Sequence, residues 1–196
     1  MVDHAERRTE IVYAVWALLA EHGAEAVTMR QVAAEANVSL GRVQHYFATK
    51  DALLQHACRA VVDLAAGQYV DRTHSLSAVA SVRALLLQPI PRDAASRVGA
   101  AVWQSFLTLA ASDPGIRTIV VEAVEGARQE LARMIIEAQQ DGSLRQSLDP
   151  GRTARSLFAL SYGLSQQVLI GAVDADEARA TAEAALATLT RGPTAD

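Results

Sequence analysis

The segment QVAAEANVSLGRVQHYFATK, which runs from Gln31 to Lys50, decides the fold of this chain. It predicts two short helices joined by a sharp turn, because the small Ala33 allows a close helix crossing and Asn37 tolerates a left-handed backbone. Val38 and Val43 supply apolar side chains that can pack against the first of these helices. The side chains between and beyond them are mostly polar and are expected to face outward. This pattern is typical of a helix-turn-helix and indicates DNA as the partner.

The helix starts around this segment support the same prediction. Thr28 followed by Gln31 matches a capping box, so the first helix of the pair should start at Thr28. Ser39 is a suitable N-cap for the second helix, and Thr49 can cap a third that begins at Lys50. Helix starts this close together predict a module of short helices rather than one long bundle helix.

The composition of the whole chain favours an all-α fold. The 196 residues, of which 51% are hydrophobic, suffice for one large or two small domains with a sizeable core. No β-branched residues alternate at period two over the length of a strand. The apolar spacing and the stop signals predict nine helices, divided into an N-terminal module over 1–50 and a helical domain over 51–190. A disordered tail is expected at 191–196.

The charge of the chain limits the kind of DNA binding that we expect. The formal net charge of −4 argues against a nucleic-acid partner only if it is taken globally, because affinity for phosphate depends on local placement. Even the first sixty residues are nearly neutral by formal count. We therefore expect strong non-specific binding to DNA to be absent.

Several features indicate a cytoplasmic protein that does not cross a membrane. Cys58 is the only cysteine, which excludes an intrachain disulfide and fits a reducing compartment. The first ten residues are charged and do not resemble a signal peptide. The uncharged run from Ser156 to Val173 is long enough to span a membrane, but it contains serines and glutamines. We interpret it as a helix buried against another protein surface.

The histidines give no support for catalysis. The five are scattered, and none is paired with a cysteine or an acidic residue at the spacing of metal ligands. No glycine-rich phosphate loop follows a strand. We expect no enzyme activity, no metal and no cofactor.

The chain resembles the tetracycline-repressor (TetR) family of transcriptional regulators over about fifty residues of its N-terminal part. The matching positions are Thr28, Val32, Ala33, Asn37, Val38, Ser39, Gly41, His45, Tyr46, Phe47, Lys50 and Leu53. Farther along, the pairs Asp113-Pro114, Asp141-Gly142 and Asp149-Pro150, together with Trp103-x-x-Phe106, are similar to the subgroup that includes betaine-pathway repressors. The resemblance departs from the family at Gln44, where tyrosine is frequent, and at Asn37, where glycine is common.

This resemblance implies a homodimeric repressor that binds double-stranded operator DNA and is released by a small-molecule effector. It implies that 1–50 is the DNA-binding domain and that 51–190 is the ligand-binding and dimerisation domain. It also implies that recognition uses Ser39, Leu40, Gly41, Gln44 and His45, while Thr28, Tyr46 and Lys50 hold the phosphate backbone. The alternative is a helical protein-interaction module whose helix-turn-helix no longer binds DNA. The sequence does not decide between a repressor and an activator.

The side chains of the second short helix suit the major groove. Gln44 can make a paired contact with adenine, Arg42 can do so with guanine if it points into the groove, and Leu40 can touch a thymine methyl group. His45 and Tyr46 can donate hydrogen bonds to phosphates. Alternatives stay open: Tyr46 as a core side chain, Arg42 as a solvated one and His45 as a cation at a helix C-terminus.

A dimer is needed for useful specificity, because two recognition helices about 34 Å apart read a palindrome. The eighth and ninth predicted helices carry an apolar stripe for this contact, and close approach is allowed by Gly163 and Gly171. The expected interface residues are Leu157, Leu160, Leu164, Val168, Leu186 and Leu189. The alternative is that this stripe belongs to the core of a single subunit.

The effector is expected to bind among the fourth to eighth helices, with the fourth helix linking this region to Lys50. The candidate lining residues are Tyr69, Leu86, Trp103, Gln104, Phe106, Leu107, Met134, Phe158, Tyr162 and Gln166. Trp103 and Tyr162 are the strongest candidates, since the polar atoms of a buried Trp or Tyr need a partner. Such a pocket suits a mostly apolar or aromatic molecule. Simple core packing is the alternative for each residue.

Overall fold

A computed structural model of the protein describes residues 4–73 and 75–190, and the backbone of these residues forms nine α-helices. They are α1 (His4–His22), α2 (Met29–Glu35), α3 (Leu40–Tyr46), α4 (Lys50–Thr73), α5 (Ala78–Leu87), α6 (Ala94–Leu109), α7 (Pro114–Gln140), α8 (Pro150–Leu169) and α9 (Ala175–Ala187). A short 3-10 helix at Ala24–Ala26 precedes α2, and Leu144 and Thr190 form an isolated β-bridge. The prediction of an all-α, nine-helix chain is confirmed. The tail predicted at 191–196 lies outside the described residues.

The chain folds as two compact units. The first comprises the residues up to 64 together with 101–122, and the second comprises 65–100 together with the residues from 123 onward. Most of α6 and the start of α7 therefore belong to the first unit, a contribution that no sequence pattern indicated. Helix α4 contributes to both units.

The first unit is built around the apolar face of α1. Ile11, Val15 and Leu19 on this face are buried, as are Val32 on α2 and Val43 on α3. Contacts of α1 with α2 and of α2 with α3 join these three helices into one module. The apolar spacing of each helix thus buries one side and leaves the other side to solvent.

Polar and thiol groups are also accommodated inside the first unit. The indole nitrogen Nε1 of Trp16 donates a hydrogen bond to the carbonyl oxygen of Ala57 at 3.0 Å, which fastens α1 to α4. Burial raises the pKa of the Cys58 thiol to about 12. Cys58 is therefore a packing residue in α4 whose thiolate is disfavoured at neutral pH.

The second unit has a core formed by α5, α7, α8 and α9. Its fully buried residues include Leu86 on α5, Ile135 on α7 and Ala182 on α9. Four of the six leucine and valine side chains predicted at a dimer interface lie in this core: Leu157, Leu164, Val168 and Leu186. Leu160 and Leu189 pack against it. The stripe on α8 is buried within the subunit because it packs against α9 and α5, so the alternative of an intrachain core applies to these four residues.

The serines in the uncharged run of α8 fasten this helix to the end of α5. Within the second unit, the hydroxyl of Ser161 donates to the carbonyl oxygen of Leu86 at 2.5 Å, and that of Ser165 donates to Pro89 at 2.7 Å. The guanidinium of Arg179 on α9 donates to the carbonyl oxygens of Leu87 and Ile90. These bonds give side-chain donors to carbonyl groups in the last turn of α5 and just beyond its end. In the part of the chain that the structure describes, none of the helices has an apolar stretch of the length needed to span a bilayer.

Candidate nucleic-acid interface

The start of α2 is fixed by Thr28, as the sequence predicted. Its hydroxyl oxygen accepts a hydrogen bond from the backbone N–H of Gln31 at 3.2 Å, so the helix proper begins one residue later, at Met29. The same hydroxyl donates to Oε1 of the Gln31 side chain at 2.8 Å. In a standard capping box this side chain would instead accept a hydrogen bond from the backbone N–H of the cap residue.

The turn between α2 and α3 depends on a left-handed residue. Asn37 has φ 52°, and it is the only non-glycine residue with a positive φ in the described ranges. The backbone N–H of Val38 then donates to the carbonyl oxygen of Ala33 at 2.9 Å, which closes the turn. The prediction that the chain turns sharply at Asn37 is confirmed, and the small Ala33 is buried where the helices approach.

Helix α3 is anchored on one side only. Its start is capped by the Ser39 hydroxyl, which accepts from the backbone N–H of Arg42 at 3.2 Å. Val43 is fully buried, Leu40 and Tyr46 are half-buried, and the remaining side chains of α3 are exposed. The exposed positions are Gly41, Arg42, Gln44 and His45. The helix therefore presents a polar surface from a fixed position.

Gly41 is not required by packing inside the protein. A Cβ atom built at this position would meet nothing within 4 Å, and its backbone is helical. The position therefore lies open to whatever approaches the exposed face of α3. A glycine here allows the backbone itself to come close to a partner.

Phe47 ends α3 and joins three helices. Its ring is buried, with the Arg8 guanidinium of α1 at 5.1 Å from the ring centroid and the His56 ring of α4 at 5.3 Å. Burial, followed by the Arg8 charge, lowers the pKa of His56, while Asp63 acts in the opposite direction. Phe47 thereby fixes α3 relative to both neighbouring helices.

The first turn of α4 lies directly after this joint. The Thr49 hydroxyl accepts from the backbone N–H of Ala52 at 3.1 Å, so Thr49 caps the helix as predicted. Lys50 is exposed at the first position of α4. Its ammonium group thus adds to the partial positive charge of a helix N-terminus.

A shallow, open concavity lies beside α3 in the first unit. Its volume is about 430 Å³, and it is lined by Arg42, His45 and Tyr46 of α3 and by Arg7 of α1. The rings of His45 and Tyr46 meet edge to face with centroids 5.4 Å apart. Arg7 also forms an ion pair with Glu10, one turn along the same helix, at 2.6 Å.

Sequence reasoning did not single out Arg7 as a site residue. Its position one turn before the buried Ile11 places it at the edge of the apolar face of α1, which is a signal that the sequence does carry. The place of Arg7 next to α3 depends on how α1 packs against α2. That packing could not be predicted from helical spacing alone.

Two protein-family models match the chain. Residues 11–57 match the model for bacterial regulatory proteins of the tetR family, and residues 78–191 match the C-terminal model for BetI-type transcriptional repressors. The second match covers more than half of the chain. The chain belongs to the TetR family. It is a DNA-binding transcriptional regulator, and regulators of this family are not enzymes.

Similar proteins span nearly the whole of this TetR-family chain. The regulator PksA of Bacillus subtilis (strain 168) is 27% identical over 179 residues, which cover 91% of this chain and 86% of PksA. A transcriptional regulator from Saccharomonospora viridis, solved in complex with choline, is 26% identical with a TM-score of 0.90 and covers 96% of this chain and 100% of its own. A TetR-family regulator from Rhodococcus sp. is 26% identical with a TM-score of 0.86, and the match covers 94% of this chain and 98% of that regulator.

The structure divides the predicted effector-binding residues of this TetR-family regulator between the two units. Trp103, Gln104, Phe106 and Leu107 on α6 belong to the first unit. Tyr69, Leu86, Met134, Phe158, Tyr162 and Gln166 belong to the second. Phe106, Leu86 and Met134 are fully buried, so for these three the alternative of core packing applies. Gln166 is exposed, and the others are half-buried.

Aromatic side chains of the second unit form two small groups. The rings of Phe158 and Tyr162, one turn apart on α8, stack with centroids 4.4 Å apart. The hydroxyl of Tyr69 on α4 lies 3.0 Å from the sulfur of Met134 and 3.4 Å from the carbonyl oxygen of Ser81. In the part of the chain that the structure describes, no group of three or more His, Cys, Asp or Glu residues could hold a metal ion.

Proposed function

We propose that this regulator is a homodimeric repressor that binds a palindromic operator through α3 and is released by a small organic effector. The observation that carries the proposal is the asymmetry of α3, whose Val43 is completely buried while Gln44 and His45 are exposed. The left-handed turn at Asn37 and the Phe47 joint support this arrangement, because they fix the helix that presents the polar face. Such a helix fits the major groove.

Base recognition is assigned to one side of α3. Gln44 lies three or four residues after Leu40 and Gly41, so these positions share a side of the helix. On this side Gln44 would pair with adenine, Leu40 would contact a thymine methyl group, and Gly41 would let the backbone approach the base edges. Ser39, which caps the helix, would lie at the end nearest to the DNA.

Contacts to the phosphate backbone are assigned to Thr28, Tyr46 and Lys50. All three lie at a helix start or end, and Lys50 is exposed at the N-terminus of α4. The Thr28 hydroxyl, which donates to Gln31 in the free protein, would donate to a phosphate instead. Such contacts position the protein on the duplex and carry no sequence information.

The homodimer is proposed to form through the exposed sides of α8 and α9 rather than through the buried leucines. These sides carry small residues that allow close approach of a second copy: Ala159 and Gly163 on α8, and Ala180, Ala184 and Ala187 on α9. Leu160 and Leu189 are half-buried on the same helices and would complete the contact. Membership of the TetR family supports this assignment.

A glycine substitution tests the dimer without disturbing the subunit core. A Cβ atom at Gly163 meets nothing within 4 Å, so Gly163→Arg should fold and yet block a partner on this face. Gly126→Arg on α7 is the matched control, since Gly126 is also helical and a Cβ atom there also meets nothing within 4 Å. Light scattering should give a dimer for the wild type and for Gly126→Arg, and a monomer for Gly163→Arg. A dimeric Gly163→Arg protein would refute this face.

The effector is proposed to bind on aromatic faces in the second unit, with Phe158 and Tyr162 as the main contacts. Their stack supports a mostly apolar or aromatic ligand, and the similar Saccharomonospora viridis regulator was solved in complex with choline. A quaternary ammonium group also binds well to aromatic faces. Helix α4, which contributes to both units, would transmit the effect if the ligand favours one arrangement of the recognition helices over another.

Thermal shift measurements separate the two ligand classes. Choline and its uncharged analogue 3,3-dimethylbutanol have nearly the same shape, so only charge distinguishes them. Stabilisation by both would indicate apolar burial, and stabilisation by choline alone would indicate recognition of the cation. Phe158→Ala should abolish either response, and an unchanged response in this variant would exclude Phe158 as a contact.

Selection of genomic fragments followed by footprinting tests the DNA-binding proposal as a whole. We expect one protected palindrome whose half-sites lie about one helical turn, or 34 Å, apart. Protection of a single half-site would contradict the dimer, and no selected DNA would favour the alternative of a protein-interaction module. Because chromosomal DNA is the proposed partner, we also infer that the protein acts in the cytoplasm.

A further inference from the structure

The concavity beside α3 combines three side chains of this helix with one from α1, which is distant in the sequence. Arg42, His45 and Tyr46 are spaced by three and four residues and therefore share one side of α3. Gln44 is offset from Arg42 by about half a helical turn and lies on a different side. Arg7 reaches the same concavity from α1. The recognition helix thus has a second polar side, which a neighbouring helix extends.

The chemistry of this concavity suits an anion. All four lining residues can donate hydrogen bonds, two of them are permanently cationic, and none of the four is acidic. Guanidinium groups bind phosphate oxygens in a paired geometry that a lysine cannot reproduce. The open shape, about 430 Å³ in volume, leaves room for a stretch of sugar-phosphate chain. A concavity this open and polar does not enclose an apolar molecule.

We propose that Arg7 and Arg42 hold the DNA backbone next to the recognition helix, and that Glu10 limits this contact by pairing with Arg7. The proposal rests on the proposed function, since it needs α3 in the major groove. It assigns Arg42 to phosphate rather than to guanine. One N–H of Arg7 is bonded to the Glu10 carboxylate at 2.6 Å, and a guanidinium has five N–H donors. The Glu10 charge, beside the bound backbone, repels phosphate.

Substitutions of Arg7 and of Glu10 should change DNA affinity in opposite directions, which distinguishes this role from that of a merely structural ion pair. Arg7→Ala should weaken binding to operator and to scrambled duplex alike, by about three- to tenfold, because phosphates carry no sequence information. The salt dependence should become less steep by about 0.9 in the log–log slope for each lost phosphate contact. Glu10→Gln should strengthen binding to both duplexes. If the pair only stabilised α1, both substitutions would weaken binding together.

Matched variants complete the experiment. Arg59→Ala removes the same charge from an exposed position of α4 outside the concavity and should leave the salt slope nearly unchanged. Arg7→Lys should keep the slope but recover only part of the affinity. Arg42→Ala should behave like Arg7→Ala. Loss of operator discrimination in Arg42→Ala would instead assign this residue to a base.

Substituted DNA identifies the phosphate itself. A methylphosphonate at the contacted position removes one backbone charge, and it should weaken the wild type but have little further effect on Arg7→Ala. Additive losses at every position would overturn the proposal. Inorganic phosphate at millimolar concentration serves as a competitor. If it competes while the methylphosphonate effects are the same in the wild type and in Arg7→Ala, the ligand is a free anion. This result would also overturn the proposal. A wild type that binds no DNA would refute the proposed function together with this inference, whereas operator binding unaffected by Arg7→Ala would refute the inference alone.

Discussion

The recognition module of the first unit and the α8–α9 region of the second differ in what determines the buried side of their helices. Helices α2 and α3 have seven residues each, and α3 buries only Val43 completely. Its outward face follows almost directly from the sequence. Helix α8 has 20 residues and an apolar stripe that suits either an intrachain core or a partner subunit. A short helix with one buried anchor has one possible orientation, whereas the orientation of a long amphipathic helix depends on which elements pack against it.

Truncation of phenylalanine side chains should have the largest effect and should distinguish the two units. Phe106 in the first unit is completely buried, whereas Phe158 in the second is half-buried and stacked on Tyr162. Phe106→Ala should therefore reduce the free energy of unfolding by about 3–5 kcal/mol, and Phe158→Ala should reduce it by less. Urea denaturation measures both. A greater loss from Phe158→Ala would contradict the prediction that the more deeply buried ring contributes more to stability.

The turn before α3 should be sensitive to side-chain branching. Asn37 has φ 52°, a conformation that costs most L-residues about 1–2 kcal/mol. Asn37→Val should lower the free energy of unfolding by about this amount. Asn37→Gly serves as the control and should cause no loss. Equal stabilities of the valine and glycine variants, measured by urea denaturation, would show that the turn does not require the left-handed conformation.

Helix caps in the two units should contribute similarly to stability but differently to function. Ser39 accepts from the backbone N–H of Arg42 at the start of α3, and Asp149 accepts from that of Arg152 at the start of α8. Replacement of either cap by alanine should cost about 1 kcal/mol, and replacement by glycine only a few tenths. Operator affinity should fall more for Ser39→Ala, as titration of labelled DNA can measure. A larger functional loss from Asp149→Ala would contradict the assignment of base recognition to α3.

The Phe47 joint should produce a small pH dependence of stability in the first unit. The pKa of His56 is lower in the folded protein than its ordinary value of about 6.5, first because of burial and then because of Arg8. The unfolded chain therefore takes up a proton at a higher pH, so stability should decline as the pH falls below about 6.5. The stability of the His56→Gln variant should decline less over the same pH range. Thermal midpoints between pH 8 and pH 5 measure it, and an unchanged slope would contradict the role of His56.

The features predicted correctly from the sequence depend on residues that are near one another along the chain. Thr28, Ser39 and Thr49 cap their helices through backbone groups three residues ahead, and Asn37 turns the chain by its own φ. These signals predicted the module and its outward face. The number of helices was predicted from the same kind of local start and stop signals.

The features that could not be predicted depend on contacts between distant residues. The α8 stripe packs against α5 and α9, so Leu157 and Leu164 lie in the core of one subunit and not on a free surface. Leu86, Met134 and Phe106 are packed in the cores of their units, although the sequence predicts them as effector contacts. Arg7 lies beside α3 only because of how α1 packs against α2. In each case helical spacing predicts which side of a helix is buried, but not which element packs against that side.

In the proposed function, Gln44 reads bases from the exposed side of α3 while Lys50 holds the phosphate backbone. Binding of the wild type, Gln44→Ala and Lys50→Ala should be measured on the operator and on a scrambled duplex over a series of salt concentrations. Gln44→Ala should lose about 1–3 kcal/mol on the operator alone. Lys50→Ala should weaken binding to both duplexes equally, with a salt slope less steep by about 0.9. A Gln44→Ala protein that discriminates the operator as well as the wild type does would contradict the account.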